Sequence, residues 1–308
     1  MSSLNFEILI DDSFSNIVTD KSLNPISNKN LLSLINDFEN GEWRYKKFQN
    51  FIWDNIAETS LSCQERESLI GEPHTTLQTA AKNLRLTDKD NIGEGSELAE
   101  IILYGIMKHH YQALPVVPKI FHKQNPQDNA KGADSVHIVI ENDNNFSIWF
   151  GEAKFYTSIE NARFDRIISS IENSLNPEKL RKENTIITNI NDIDRLISNE
   201  NTRKEVLDFL HQKNSIDNLK QKLHIPILLL HECEKTKSSK ELTQDYKDSI
   251  AEYHRERAEA YFKKQIKKLG AYIHKYAEIS FHLILFPVPC KETIVNSFVS
   301  HIEFYQGV

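Results

Sequence analysis

Gly132-Ala133-Asp134-Ser135-Val136-His137-Ile138-Val139-Ile140 is followed by Glu141-Asn142-Asp143-Asn144-Asn145 and then by Phe146-Ser147-Ile148-Trp149-Phe150-Gly151-Glu152-Ala153-Lys154. Both flanks are rich in β-branched and aromatic residues, and Asn142-Asp143-Asn144 between them carries turn chemistry. A hairpin symmetric about Asp143 sets Ile140 against Phe146, Ile138 against Ile148, Val136 against Phe150 and Asp134 against Glu152. Side chains alternate across a strand, so Lys154 shares the face of Glu152. An apolar stripe of six residues therefore ends in two carboxylates and an ammonium. Directly opposed residues have Cβ atoms roughly 4.5–5.5 Å apart, where two like charges repel. A divalent cation is the usual reason for such a pair to be kept.

Working outward, Leu4–Ile10 alternates as an edge strand does, and helical periodicity is expected over Asn30–Glu39, Trp43–Glu58 and Thr76–Leu84. Asp88–Asn91 and Gly93-Glu94-Gly95 read as a linker. It separates a mainly helical N-terminal region, residues 1–92, from a second unit, residues 93–308. Ser96 is placed to N-cap an amphipathic helix running to about Tyr111. Pro115 and Pro118 bracket a short extended segment, Val116–Phe121, suited to a sheet edge. After the hairpin, helices are expected from Thr157 or Ser158 to Leu175 and over Asp192–His211. Ile225–His231 and Ile279–Phe286 are dense apolar runs, the kind that lie inside a sheet covered on both faces. A long charged helix, about Glu241–Leu269, lies between them with Gly270 as its stop, and Glu292–Phe304 closes the chain as a helix. This order is that of an α/β protein: a mixed sheet flanked by helices, with a mainly helical N-terminal extension.

The chain has 308 residues, 39% of them hydrophobic and 26% charged, enough to bury a full core. Its net charge of −7 argues against a globally basic nucleic-acid binder. A local basic groove, or a metal that offsets phosphate charge, stays compatible with it. No apolar run reaches the roughly 18 residues of a membrane span, and the first residues lack the blocks of a signal peptide. Cys63, Cys233 and Cys290 are odd in number and far apart, which disfavours a disulfide framework. A reducing cytoplasm, with no membrane partner, is the expected setting.

Two carboxylates and a lysine on one side of a sheet suit metal-assisted hydrolysis. Carboxylates hold Mg²⁺ or Mn²⁺ through oxygen while leaving positions for water and phosphate oxygens. Such a metal lowers the pKa of a bound water and offsets charge on the phosphate. Lys154 can orient or deprotonate that water, or stabilise the transition state. Glu97 and Glu100, three apart on the upstream helix, offer a further carboxylate. The bland alternative is a surface hairpin with a solvated Glu152–Lys154 salt bridge. The register, the glycine before Asp134 and the acidic helix weigh against it.

The order acidic helix, Gly132-x-Asp134, Glu152-x-Lys154 and then a helix resembles the PD-(D/E)XK nuclease superfamily. Ala133 stands where the name-giving proline would be, at a position that is loose in the superfamily. Gly93-Glu94-Gly95-Ser96-Glu97, Gly151-Glu152-Ala153-Lys154 and a late strand ending in Phe286-Pro287 make residues 93–305 similar to the HamA family of Hachiman anti-phage defence systems. The resemblance implies a restriction-endonuclease-like sheet and Mg²⁺- or Mn²⁺-dependent hydrolysis of DNA. It also implies a HamB-like helicase partner in a bacterial cytoplasm. By motif position Asp134 and Glu152 are metal ligands, Lys154 is the catalytic lysine, and Glu97, ahead of Glu100, is the catalytic and metal-binding helix carboxylate. Residues 1–92, poorly matched, are expected to form the partner-binding surface.

DNA contacts are expected at Arg163 and Arg166, just after the lysine strand, and at Lys263 and Lys267 on the long helix. Lys264, Lys268, Arg255 and Arg257 extend that stripe at spacings suited to phosphates, while Glu252, Glu256 and Glu259 offer to balance it as a solvated face. His109-His110 reads as surface or packing, and His231-Glu232-Cys233 lacks the second pair a structural zinc site needs. No HExxH, phosphate-cradling glycine loop or GxSxG occurs, which disfavours zinc peptidase, nucleotide hydrolase and serine hydrolase. Two rival readings are a non-catalytic nuclease-like scaffold that binds a helicase or DNA, and a stand-alone restriction-type endonuclease.

Overall fold

The computed structural model describes residues 4–84, 97–118, 120, 133–142, 145–189, 192–211 and 214–307. Its strands are β1 (Glu7–Ser13), β2 (Lys29–Ile35), β3 (Phe38–Glu39), β4 (Glu42–Trp43), β5 (Leu114–Val117), β6 (Ser135–Asn142), β7 (Asn145–Tyr156), β8 (Leu223–Glu232) and β9 (Ser280–Val288). The longer helices are α1 (Tyr45–Ser60), α2 (Pro73–Lys82), α3 (Glu97–His109), α4 (Asn161–Ser174), α5 (Pro177–Asn189), α6 (Glu200–Leu210), α7 (Gln244–Leu269) and α8 (Lys291–Gln306), with short helical turns between them. Seven strands form one mixed sheet in the order β1-β2-β9-β8-β7-β6-β5, and β3 and β4 pair as a separate ribbon.

Strands β2, β9, β8 and β7 run parallel in the middle of the sheet; β1, β6 and β5 are antiparallel to their inner neighbours. Parallel neighbours need long crossovers, and helices supply them: α4 to α6 between β7 and β8, and α7 between β8 and β9. Both apolar runs expected inside a sheet are there, β8 and β9, buried almost end to end. One face of the sheet carries Val136, Ile138, Ile148, Phe150, Ile227, Leu229, Leu283 and Leu285 under α4 and α7. The other carries Trp149, Ala153, Phe155, Leu228, Leu230, Ile284 and Phe286 under α1, α3 and α8. Helices α1 and α3 approach closely because position 105 is glycine; a Cβ there would lie 2.5 Å from the Phe51 ring.

The hairpin has the expected register from Ser135 to Ile140: Val136 faces Phe150, Ile138 faces Ile148 and Ile140 faces Phe146. An irregularity between Ile140 and Asn142 precedes the turn; Asp143, like Gly93 to Ser96, Asp88 to Asn91 and Gly132, lies outside the described residues. Both expected edge strands, β1 and β5, are the outermost strands.

Two expectations are corrected. Residues 30–35, read as helix, belong to β2, which pairs Lys29 to Ser33 with Phe281 to Leu285 of β9. Buried on both faces, β2 carries Leu31, Leu32, Leu34 and Ile35 around Ser33, a pattern that imitates helical spacing. Strands β1 and β2 belong to the same sheet that holds the hairpin. The helix expected over Asp192–His211 is two, Asp192–Leu196 and α6, because the Asn199 side chain accepts from the N–H groups of Asn201 and Thr202 and starts a new helix. Among the described residues no helix is long and apolar enough to cross a membrane.

Candidate active site

Strand β7 places Glu152 and Lys154 beside Ile227 and Leu229 of β8, on the face covered by α4. Asp134 sits immediately before β6. Its N–H donates to the Gly151 carbonyl at 2.7 Å, which carries the hairpin one step past Ser135–Gly151 and brings Asp134 alongside Glu152. Oδ2 of Asp134 accepts the Ala153 N–H at 3.1 Å, so the opposite strand's backbone holds this carboxylate in place. Gly151 permits the approach: a Cβ there would lie 2.2 Å from Ser135 Oγ and 2.7 Å from Leu103 Cδ2 of α3.

Lys154 Nζ lies 2.7 Å from Glu152 Oε1 and 3.5 Å from Asp134 Oδ2. Glu152 is 5% exposed. Burial and the charge of Asp134 raise its carboxyl pKa, against the opposing pull of Lys154 and of the Ser170 hydroxyl. For Lys154, burial works to lower the pKa, yet the two carboxylates outweigh it and hold the ammonium above its ordinary value. An ammonium so held offsets the negative charge of the two carboxylates.

The two helix carboxylates differ in packing. Glu100 is 6% exposed and lines, with Asp134, Ser135 and Tyr104, a cavity of about 10 Å³ between α3 and the hairpin, the room of one water-sized sphere. Glu97, favoured over Glu100 by motif position, begins α3 and does not line that cavity. Glu100 and Asp134 thus line the same small cavity. Among the described residues no group of three or more His, Cys, Asp or Glu side chains is arranged to enclose a metal. A hard cation such as Mg²⁺ needs no such cage, because it binds through one or two carboxylates and keeps its waters for exchange with phosphate oxygens. Asp134 and Glu152 fit that requirement in donor type, and no hydrogen-bond donor reaches Oε2 of Glu152 among the described residues.

The guanidinium of Arg163 lies over the Tyr156 ring, 5.6 Å from its centroid, and Arg166 is exposed on the same helix. The lysine stripe of α7 is largely engaged. Lys264 and Lys268 both lie 2.6 Å from Asp165 of α4, Lys263 lies 3.3 Å from Asp20, and Arg257 pairs with Glu160. Lys267 is exposed. The acids that balance the stripe come from other elements, not from Glu252 and Glu256 of its own helix. His110 pairs with Asp11 and packs against Tyr111, and His231 is buried against His254; both belong to the packing, as does buried Cys233. Sequence reading missed Ser135 and Ser170, since a single serine has neither period nor motif.

A family model described as HamA matches residues 11–302, nearly the whole chain. No curated protein matches it.

Proposed function

This chain belongs to the HamA family and so to the components of Hachiman defence, and we propose that its cluster of Asp134, Glu152 and Lys154 is a metal-dependent nuclease site acting on DNA alongside a HamB-like helicase. The observation that supports this most is the aligned acidic pair: Asp134 and Glu152 meet at the end of an apolar hairpin, held there by backbone hydrogen bonds and the half-buried Lys154. Two like charges there repel, and the single Lys154 ammonium offsets only one of them.

In this reading Asp134 and Glu152 hold Mg²⁺ or Mn²⁺, with Glu100 as the helix carboxylate. The bound metal supplies a water of lowered pKa and offsets charge on the phosphate. Lys154 keeps its proton and stabilises the negative charge that develops on the phosphate. Arg163 and Arg166 on α4, with Lys263 and Lys267 on α7, hold the DNA backbone. Binding through phosphates at a few such cations agrees with a chain of net charge −7.

The test is degradation of plasmid and linear DNA with Mg²⁺ or Mn²⁺, in the presence of the partner, by the native chain and by Glu152→Ala and Lys154→Ala. Each variant is expected to lose activity by roughly 100-fold or more. Cutting by the variants at the native rate, or no cutting by the native chain with its partner, would end the proposal.

A further inference from the structure

Helix α4 packs Phe164, Ile167, Ile168 and Ile171 onto the sheet face that bears Glu152 and Lys154. Ser170, on the same helix, is half-buried, and its hydroxyl donates to Glu152 Oε1 at 2.5 Å. That oxygen also receives the Lys154 ammonium at 2.7 Å. Both donors converge on Oε1, while none among the described residues reaches Oε2. A buried glutamate has three side-chain torsions to fix, and β7 constrains only the first of them. Lys154 alone would not fix the rest, because its ammonium is shared with Asp134 and moves on a flexible stem. A short neutral donor on a packed helix supplies the missing constraint.

We propose that Ser170 is a positioning residue for the metal site: it pins Oε1 of Glu152 and leaves Oε2 as the oxygen offered to a divalent cation. The inference rests on the nuclease reading of this site and adds a residue to it. Hydrogen bonds to ligating carboxylates orient the ligand and tune its affinity, and their loss weakens metal binding without removing a ligand. Position 170 would then be sensitive to the hydroxyl and tolerant of an added methyl, since a threonine keeps the donor at a half-buried place.

Mn²⁺ binding, measured by calorimetry on the full chain without DNA, tests this with native protein, Ser170→Ala, Ser170→Thr and Glu152→Ala, the metal-free melting temperatures being recorded alongside. Ser170→Ala is expected to bind Mn²⁺ about tenfold more weakly with its melting temperature unchanged. Ser170→Thr should recover native affinity, and Glu152→Ala should lose binding. If Ser170→Ala binds as the native chain does while Glu152→Ala does not, the positioning role falls and the metal site stands. If alanine and threonine weaken binding equally and both lower the melting temperature, Ser170 serves packing and the proposal is overturned. Should native protein and Glu152→Ala bind Mn²⁺ equally, the metal reading fails and takes the role of Ser170 with it.

Discussion

At the scale of single residues, the site is built on a clearance. A Cβ at position 151 would meet Ser135 Oγ and Leu103 Cδ2 inside contact distance, and Gly151 also accepts the Asp134 N–H that aligns the two carboxylates. Gly151→Ala must displace the Ser135 hydroxyl and a Leu103 methyl. We expect a destabilisation of about 1–3 kcal/mol, the usual cost of overpacking, measured by urea unfolding, and a larger fractional loss of Mn²⁺ binding than of stability. An alanine variant with native stability and native Mn²⁺ affinity would show that the approach is not needed. Asp134, Glu152 and Lys154 were legible in the sequence because the apolar stripe fixes the register and the period of two carries it to the strand ends. The choice between Glu97 and Glu100 was not. Both lie on one helical turn, and of the two Glu100 lines the cavity beside Asp134.

At the scale of elements, legibility followed burial. β8 and β9 could be read because each run is long, apolar and bounded by turn residues. β2 could not, because Leu31, Leu32, Leu34 and Ile35 recur at helical spacing although both faces of the strand are covered. The misreading matters for the partner question. Cutting after residue 92 would remove β1 and β2 and bare the edge of β9, so a partner surface in that region is testable by surface substitutions and not by truncation. The basic stripe of α7 is likewise an inter-element feature. Its Lys264 and Lys268 converge on Asp165 and clip α7 to α4, beside Arg163 and Arg166. Asp165→Asn would release both ammoniums at little cost to stability, since exposed pairs contribute weakly. If α7 meets DNA, the variant should bind a duplex more tightly in fluorescence anisotropy, with a log–log salt slope steeper by roughly 1–2. An unchanged slope would place the stripe away from DNA and leave it as a clip between helices.

At the scale of the whole molecule, the sheet holds its histidines neutral. His231 Nδ1–H donates to the Glu232 carbonyl, an acceptor only. His231 Nε2 therefore accepts from His254 Nε2–H at 3.1 Å, and His254 Nδ1 accepts the Ser33 hydroxyl at 2.6 Å. This buried chain joins β8, α7 and β2. Burial pushes His231 and His224 down to about 4 and His137 down to about 3, and holds His254 and His282 well below the ordinary range. The sign follows from linkage. Between pH about 6.5 and 4 the unfolded chain takes up protons that the native chain refuses. Stability is then complete above 6.5 and falls as the pH drops, by up to about 1.4 kcal/mol per unit for each such histidine. Set against a typical total of about 5–15 kcal/mol, the five together predict acid unfolding well above the usual carboxylate range, followed by circular dichroism against pH. His137 isolates the cause, because neither of its ring nitrogens has a hydrogen-bond partner among the described residues and its ring packs on Tyr104. His137→Phe removes one refused proton without breaking a hydrogen bond. It should shift the unfolding midpoint to lower pH and flatten the slope between 6.5 and 4. A variant that unfolds at the native pH with the native slope would show that buried imidazoles do not set the acid limit of this fold.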